Sequence, residues 1–253
     1  MSLSQTRFIL SELVKKGIRL KYRRSYLGIL WSLLEPLLTM IVLTVVFGTL
    51  MGVHDKTFPV YILAGRLLYG YFSLATTTAL KSIRQNSAMI KKVYVPRLLY
   101  PLSATIFHYV IFLISLIVLV VVAGVLGVRP TWHLVQIFLP LGVLFLLGTG
   151  VGIFLSTVGV FFRDMEYLWT VILMLVMYTA AIFYHPETLL NSKYGLVLRL
   201  NPLFCVIENF RDAIFGNPLN VGYLMYALAF SMLALLMGIL IFRRNEDKFI
   251  LYI

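Results

Sequence analysis

The feature that most constrains this chain is a recurrence of apolar stretches of about 20 residues from one end to the other. That length lets an α-helix cross the hydrocarbon core of a bilayer, where each backbone amide must be satisfied within the segment itself. The surplus of apolar residues is therefore not one buried core. Only 13% of the 253 residues are charged against 60% hydrophobic, and the mean hydropathy is +0.93. A soluble domain of this length carries roughly twice that charge fraction. No stretch is left over for a second, soluble domain. The formal net charge of +12 would suggest nucleic acid in a soluble protein. Here the charges sit in short segments between apolar runs, which is the pattern of membrane topology, and nucleic acid is set aside. A single cysteine, Cys205, excludes an internal disulfide and a cysteine-based metal cluster. The first apolar run, Leu27 to Met51, is too long for a signal peptide and has no small-residue cleavage site after it, so it reads as a retained span.

The expected fold class is all-α integral membrane: six transmembrane helices, an N-terminal amphipathic interface helix and short re-entrant helices before the last span. Residues 5–23 place Ile9, Leu10, Leu13, Val14, Ile18 and Leu20 on one side of a helix. Glu12, Lys15, Lys16, Arg19 and Arg23 fall on the other, as expected of a helix lying along the headgroups. The spans are expected at 27–51, 58–80, 102–126, 134–161, 167–184 and 221–242, all within one domain, 1–253. Of the 22 Lys and Arg, all but six (Lys56, Arg66, Arg129, Lys193, Arg199 and Arg211) fall on one side if the N-terminus is cytoplasmic. The positive-inside rule then places both termini in the cytoplasm. Segment 185–220 is too polar for a clean span and too apolar for an ordinary loop, and Pro202 and Pro218 break any long helix there. Two short helices dipping into the outer side, or a plain surface pair, both fit.

The chain offers no self-contained catalytic site. The dipeptide Gly-Lys never occurs, so no Walker A loop can form, and His54, His108, His133 and His185 are scattered. Within spans, polar residues are costly and so worth attention. Glu35 sits beside Pro36 early in the first span. Arg66 lies deeper in the second and must snorkel, pair or face an aqueous path. Gly148 and Gly152 form a GxxxG pattern that suits close packing, within one subunit or between two. Tyr69, Tyr71, Phe72, Tyr167, Trp169 and Tyr178 lie within or just inside spans. They either pack helices together or line a pore on which sugar rings could stack.

Four stretches together resemble the membrane subunits of polysaccharide-exporting ABC transporters, the exporters of O antigen, teichoic acid or capsule. They are Lys21-Tyr22-Arg23-Arg24-Ser25-Tyr26-Leu27-Gly28-Ile29-Leu30-Trp31 with Leu34-Glu35-Pro36-Leu37; Ile90-Lys91-Lys92-Val93-Tyr94-Val95-Pro96-Arg97; Phe162-Arg163-Asp164-Met165-Glu166; and Asn201-Pro202-Leu203 with Ile207-Glu208-Asn209-Phe210-Arg211-Asp212. Their order and spacing match over essentially the whole chain. The departures are Arg66, Leu68 and Tyr69, where the family usually has an apolar residue and a Pro-Trp pair, and Ala180-Ala181-Ile182-Phe183-Tyr184, which lacks a typical Ser-Pro.

The resemblance implies a homodimer joined to two copies of an ATP-binding subunit, in the bacterial cytoplasmic (inner) membrane. A lipid-linked polysaccharide would pass through a pore between the two subunits. No cofactor is expected on this chain, since ATP and Mg would belong to the partner. It also implies a cytoplasmic coupling region at 84–96, with Ser87, Met89, Ile90, Lys91, Lys92 and Tyr94 docking onto the ATPase, and outer gate helices at 187–215. Arg23 and Arg24 would attract the substrate's pyrophosphate. The competing expectations are a drug or lipid exporter of the same architecture and a membrane scaffold that transports nothing.

Overall fold

The computed structural model describes residues 3–23, 26–51, 55–93, 95–193 and 195–252, and among these there is no β-strand. In chain order the helices are α1 (Leu3–Tyr22), α2 (Trp31–Met51), α3 (Phe58–Gln85), α4 (Ser87–Ile90), α5 (Leu99–Val125) and α6 (Phe138–Phe161). They continue as α7 (Met165–Thr179), α8 (Glu187–Leu190), α9 (Gly195–Leu200), α10 (Pro202–Phe215), α11 (Val221–Asn245) and α12 (Phe249–Tyr252). Single 3₁₀ turns precede α2 and α6 and follow α11. Four helical stretches are long and apolar enough to cross a membrane: Gly28–Thr49, Leu99–Val125, Trp132–Phe161 and Val221–Tyr252.

The termini meet at one end of the bundle. Ile9, Leu10 and Leu13 of α1, Met89 and Ile90 of α4, and Phe249 of α12 share one apolar cluster with Ile83, Tyr100, Val160 and Phe242. This is the proximal end. Phe58, Tyr61 and Ile62 begin α3 in a separate cluster at the distal end, with Leu43 and Phe47 of α2 and Phe215 of α10. Helices α2, α3, α5, α6, α7 and α11 run alternately between the two ends.

At the centre stands α3, buried along most of its length. It is not among the four apolar stretches because Arg66, its tyrosines and its threonines dilute its hydropathy; its surroundings are other helices rather than solvent. Lipid gives no hydrophobic reward for joining helices, so close packing must hold them together. Small residues supply that contact. A side chain at Gly148 would strike Tyr71, and one at Gly152 would strike Ala79 and Thr105, so the GxxxG face packs within the subunit. Gly150 and Gly238 let α6 and α11 approach backbone to backbone.

Pro36 shows how one residue type joins two helices. Proline has no N–H, so the carbonyl of Ser32, four residues earlier, loses its helical donor. The Ser115 hydroxyl of α5 donates to that carbonyl at 2.8 Å.

The two largest departures of helix ends from the sequence expectation are in α3 and α7. Helix α3 runs on to Gln85, because Lys81 and Arg84 meet an acidic partner. Helix α7 stops at Thr179, and Ala181 then takes a left-handed conformation, φ +48°, which costs a residue with a Cβ about 1–2 kcal/mol. Within segment 187–215, α9 keeps Leu196, Val197 and Leu200 exposed, whereas α10 is buried. Ten residues of α10 are buried, and the helix is inserted among α3, α6 and α11. Asn201 caps it by accepting from the Leu203 N–H at 3.0 Å, Pro202 fits the first turn, and Gly216 closes it at φ +81°.

Candidate permeation groove and coupling face

Helices α2 and α7 bury little of themselves: Ser32 and Met40 in one, Trp169 and Leu173 in the other. Between them the one open stripe of α3 forms the floor of a cleft of about 360 Å³. Arg66, Gly70, Ser73 and Leu74 lie along that stripe; Glu35 and Thr39 of α2 and His108 of α5 reach the same cleft. Lys21, at the end of α1, stands at its mouth. Burial there lowers the Lys21 pKa, while the Glu35 carboxylate acts to raise it. His108 shares a 2.8 Å hydrogen bond with Thr78 through Nε2, and its Nδ1 is buried without a partner. A guanidinium at the centre of a membrane helix costs at least about 2.5–3.5 kcal/mol. Arg66 therefore marks this cleft as polar space within an apolar exterior.

The six aromatics singled out in the sequence divide into two groups. Tyr69, Tyr71, Phe72 and Trp169 are buried. The Tyr69 hydroxyl donates to the Leu173 carbonyl at 3.0 Å, and the Trp169 indole donates to the Thr76 hydroxyl at 3.0 Å, so both tie α3 to α7. Phe72 lies beside Trp169, and Tyr71 packs on Tyr109 and Phe112. Tyr167 and Tyr178 are 78% and 57% exposed on the outward face of α7. They are the two of the six exposed on the outside of the bundle, while Tyr69 and Tyr71, though largely buried, line the cleft.

At the proximal end the coupling residues separate by burial. Met89 and Ile90 pack into the apolar cluster with α1 and α12, and Ser87 is half-buried. Lys91, Lys92 and Val93 project from the surface. Arg23 is exposed; Arg24 and Tyr94 lie outside the described residues. The Asn86 side chain donates back to the Ser82 carbonyl at 2.8 Å, so α4 continues α3 almost without a joint.

Sequence reading named Glu166 without its partners. The carboxylate bridges Lys81 at 2.9 Å and Arg84, both on α3. It thereby clamps the start of α7 to the end of the helix that carries α4. Arg97 bonds the Glu246 carbonyl and so ties the coupling loop to the C-terminal tail. The signal available in the sequence was an acidic residue just after a very short connector, facing a basic helix end.

Arg211 was counted only as a distal charge. It is 3% exposed and holds the distal end together. Its guanidinium donates to the carbonyls of Tyr61 (3.2 Å), Ala181 (3.1 Å) and Ile182 (3.3 Å) and to Glu208 (2.7 Å), and it stacks on the Tyr61 ring. The bonds to Ala181 and Ile182 offset the strain of the left-handed turn. Glu208 and Arg211, of opposite charge and three apart on one helix, were the available hint. Among the described residues no three His, Cys, Asp or Glu stand close enough to hold a metal ion.

A bundle whose outer helices expose apolar faces, with a polar groove recessed among them and a basic turn at one end, is the build of a membrane transport protein. The chain belongs to the ABC-2 type transporter family, whose profile matches residues 10–215. It is similar to the O-antigen export system permease protein RfbA of Klebsiella pneumoniae, 29% identical over 95% of this chain and 93% of that protein. The protein of that name in Myxococcus xanthus is 28% identical over 98% and 96%. The polysialic acid transport protein KpsM of Escherichia coli is 25% identical over 92% and 91%.

Proposed function

We propose that this chain is the membrane-spanning, non-catalytic subunit of an ATP-driven exporter that moves lipid-linked polysaccharide across the cytoplasmic membrane. The observation that carries the reading is similarity over nearly the full length of O-antigen and polysialic acid export proteins, joined to a polar groove at membrane depth. Six helices alternate between the two ends, and we read all six as spans, with the proximal end and both termini cytoplasmic. Two copies facing each other across α2, the open stripe of α3 and α7 would close the groove into a pore. Helix α10 and its neighbours would enter the outer leaflet as a gate, protected by the protein that buries them.

Energy would come from two copies of an ATP-binding subunit that carry ATP and Mg. Lys91 and Lys92, exposed at the proximal end, would meet that subunit, with Met89 and Ile90 as their anchor. A push on this turn would move α4 and α3 as one piece. The Glu166 clamp passes the motion to α7, and Arg211 relates the far end of α7 to the gate. Arg23 and Arg24, which follow α1 in the sequence, would attract the pyrophosphate of the lipid-linked substrate.

The test is to delete the gene in its host and quantify lipid-linked polysaccharide on both faces of the cytoplasmic membrane. Accumulation on the inner face, with loss from the cell surface, is expected. An unchanged distribution rejects the reading and favours an exporter of drugs or lipids.

A further inference from the structure

Two arginines lie within the bundle, and they are treated in opposite ways. Arg211 is saturated by three carbonyls and a carboxylate. Arg66, among the described residues, has no hydrogen bond and no ion pair; its one contact of note is the Tyr69 ring, 5.7 Å from the guanidinium carbon. Yet Arg66 lies eight residues along α3, roughly 12 Å from the distal end of the helix. A guanidinium at this depth is costly unless it pairs or faces a polar space, and Arg66 lines the cleft. It cannot escape the burden by losing its proton, since arginine stays charged in proteins. The acidic residue in the same cleft is Glu35, which lies beyond ion-pair distance of Arg66 and acts on Lys21 instead. The remaining charged or titratable neighbours, Lys21 and His108, bring no negative charge.

We propose that Arg66 is a substrate-binding residue that selects for acidic glycan, taking a carboxylate or phosphate group of the passing sugar chain in the cleft between α2, α3 and α5. The planar fork of the guanidinium suits bidentate pairing with either group. Its neighbours suit a sugar: Ser73 and Thr39 offer hydroxyls, and Gly70 leaves the floor beside Arg66 open. In a homodimer two such arginines would face one chain of repeating units, so an acidic group in each repeat could be handed from one to the other. The inference rests on the export reading above and narrows its substrate class.

The experiment begins with the glycan that disappears from the surface when the gene is deleted. Its composition should include a uronic acid, a phosphate or another acidic substituent. A neutral glycan overturns the selectivity and leaves the export reading intact; a surface glycan unaffected by deletion overturns the export reading itself. The deletion strain is then complemented with R66K, R66Q and R66E, at matched membrane levels. Export should fall on the order of tenfold or more for R66Q and R66E, as expected when a charge-assisted hydrogen bond is lost, and by less for R66K, which keeps the charge but not the planar fork. Unchanged export in R66Q overturns the proposal, including the case where R66Q sheds a co-purifying anionic phospholipid. A measurement on the wild-type complex in nanodiscs needs no variant. A uronic-acid oligosaccharide should bind at least about tenfold more tightly than its carboxyl-reduced form, and equal binding overturns the proposal.

Discussion

At the scale of single residues, buried charge decides most in this molecule. Arg211→Met removes the donor shared by three carbonyls and leaves Glu208 without its 2.7 Å partner. Breaking a buried pair by deleting one member costs about 3–5 kcal/mol. The thermal midpoint of the purified variant in detergent should therefore fall well below that of wild type. Arg211→Lys should recover only part of the loss, because an ammonium has three donors and no planar fork. Asp55 gives a smaller and pH-dependent effect. It accepts from the Thr57 N–H at 2.9 Å and the Thr57 hydroxyl at 2.8 Å, ahead of α3. The backbone bond first, and the hydroxyl bond with it, hold its pKa below the ordinary 3.8. A carboxylate with a lowered folded-state pKa stabilises above its unfolded pKa, and the effect fades as pH falls through the folded value. Asp55→Asn should thus be less stable than wild type at pH 6, with the difference shrinking as pH falls below 3.8, in the same thermal assay.

At the scale of elements, α3 and α7 are tied into one unit. They share the Glu166 clamp at one end and the Tyr69 and Trp169 bonds along their length. Glu166→Lys places three cations together where one anion had bridged two. The variant should still assemble with its ATP-binding partner, because the projecting Lys91–Val93 turn is untouched. Export, read as lipid-linked glycan accumulating on the inner face, should fall on the order of tenfold. Loss of co-purification with the partner would instead make Glu166 a docking residue. Reversing Lys91 and Lys92 to Glu should give the opposite pattern, with partner co-purification lost first.

At the scale of the whole molecule, the faces that α2 and α7 leave open have to be covered by lipid or by a second copy. Cys205 is buried, so a cysteine introduced at Leu74 on a Cys205→Ser background is the reactive one. Across a homodimer pore, a short bismaleimide should join two such chains into a species of twice the mass. The same cysteine at Leu240, on the exposed face of α11, should not cross-link. Equal cross-linking at both sites would place the subunit contact elsewhere.

Much of the architecture was legible in the sequence because it depends on local rules. Span length, the amphipathic pattern of α1, the cap and proline at Asn201-Pro202 and the glycine after α10 each need only neighbouring residues to act. The elements that local pattern misjudged are those where distant partners change the balance. Helix α3 carries an arginine and many hydroxyls because other helices surround it, and α7 ends early because Arg211, thirty residues on, secures its last turn. Whether an aromatic packs or faces open space was likewise undetermined: Tyr69 and Tyr178 look alike in sequence, and only the position of α3 between α2 and α7 separates them. The same holds for charge. The sequence by itself determined that this chain is a helical membrane protein, since the cost of an unpaired amide in hydrocarbon permits little else for such apolar runs. Only the tertiary structure decided which buried charges are spent on the fold, as at Arg211 and Glu166, and which is left open, as at Arg66, because pairing depends on residues up to 150 positions apart meeting in space.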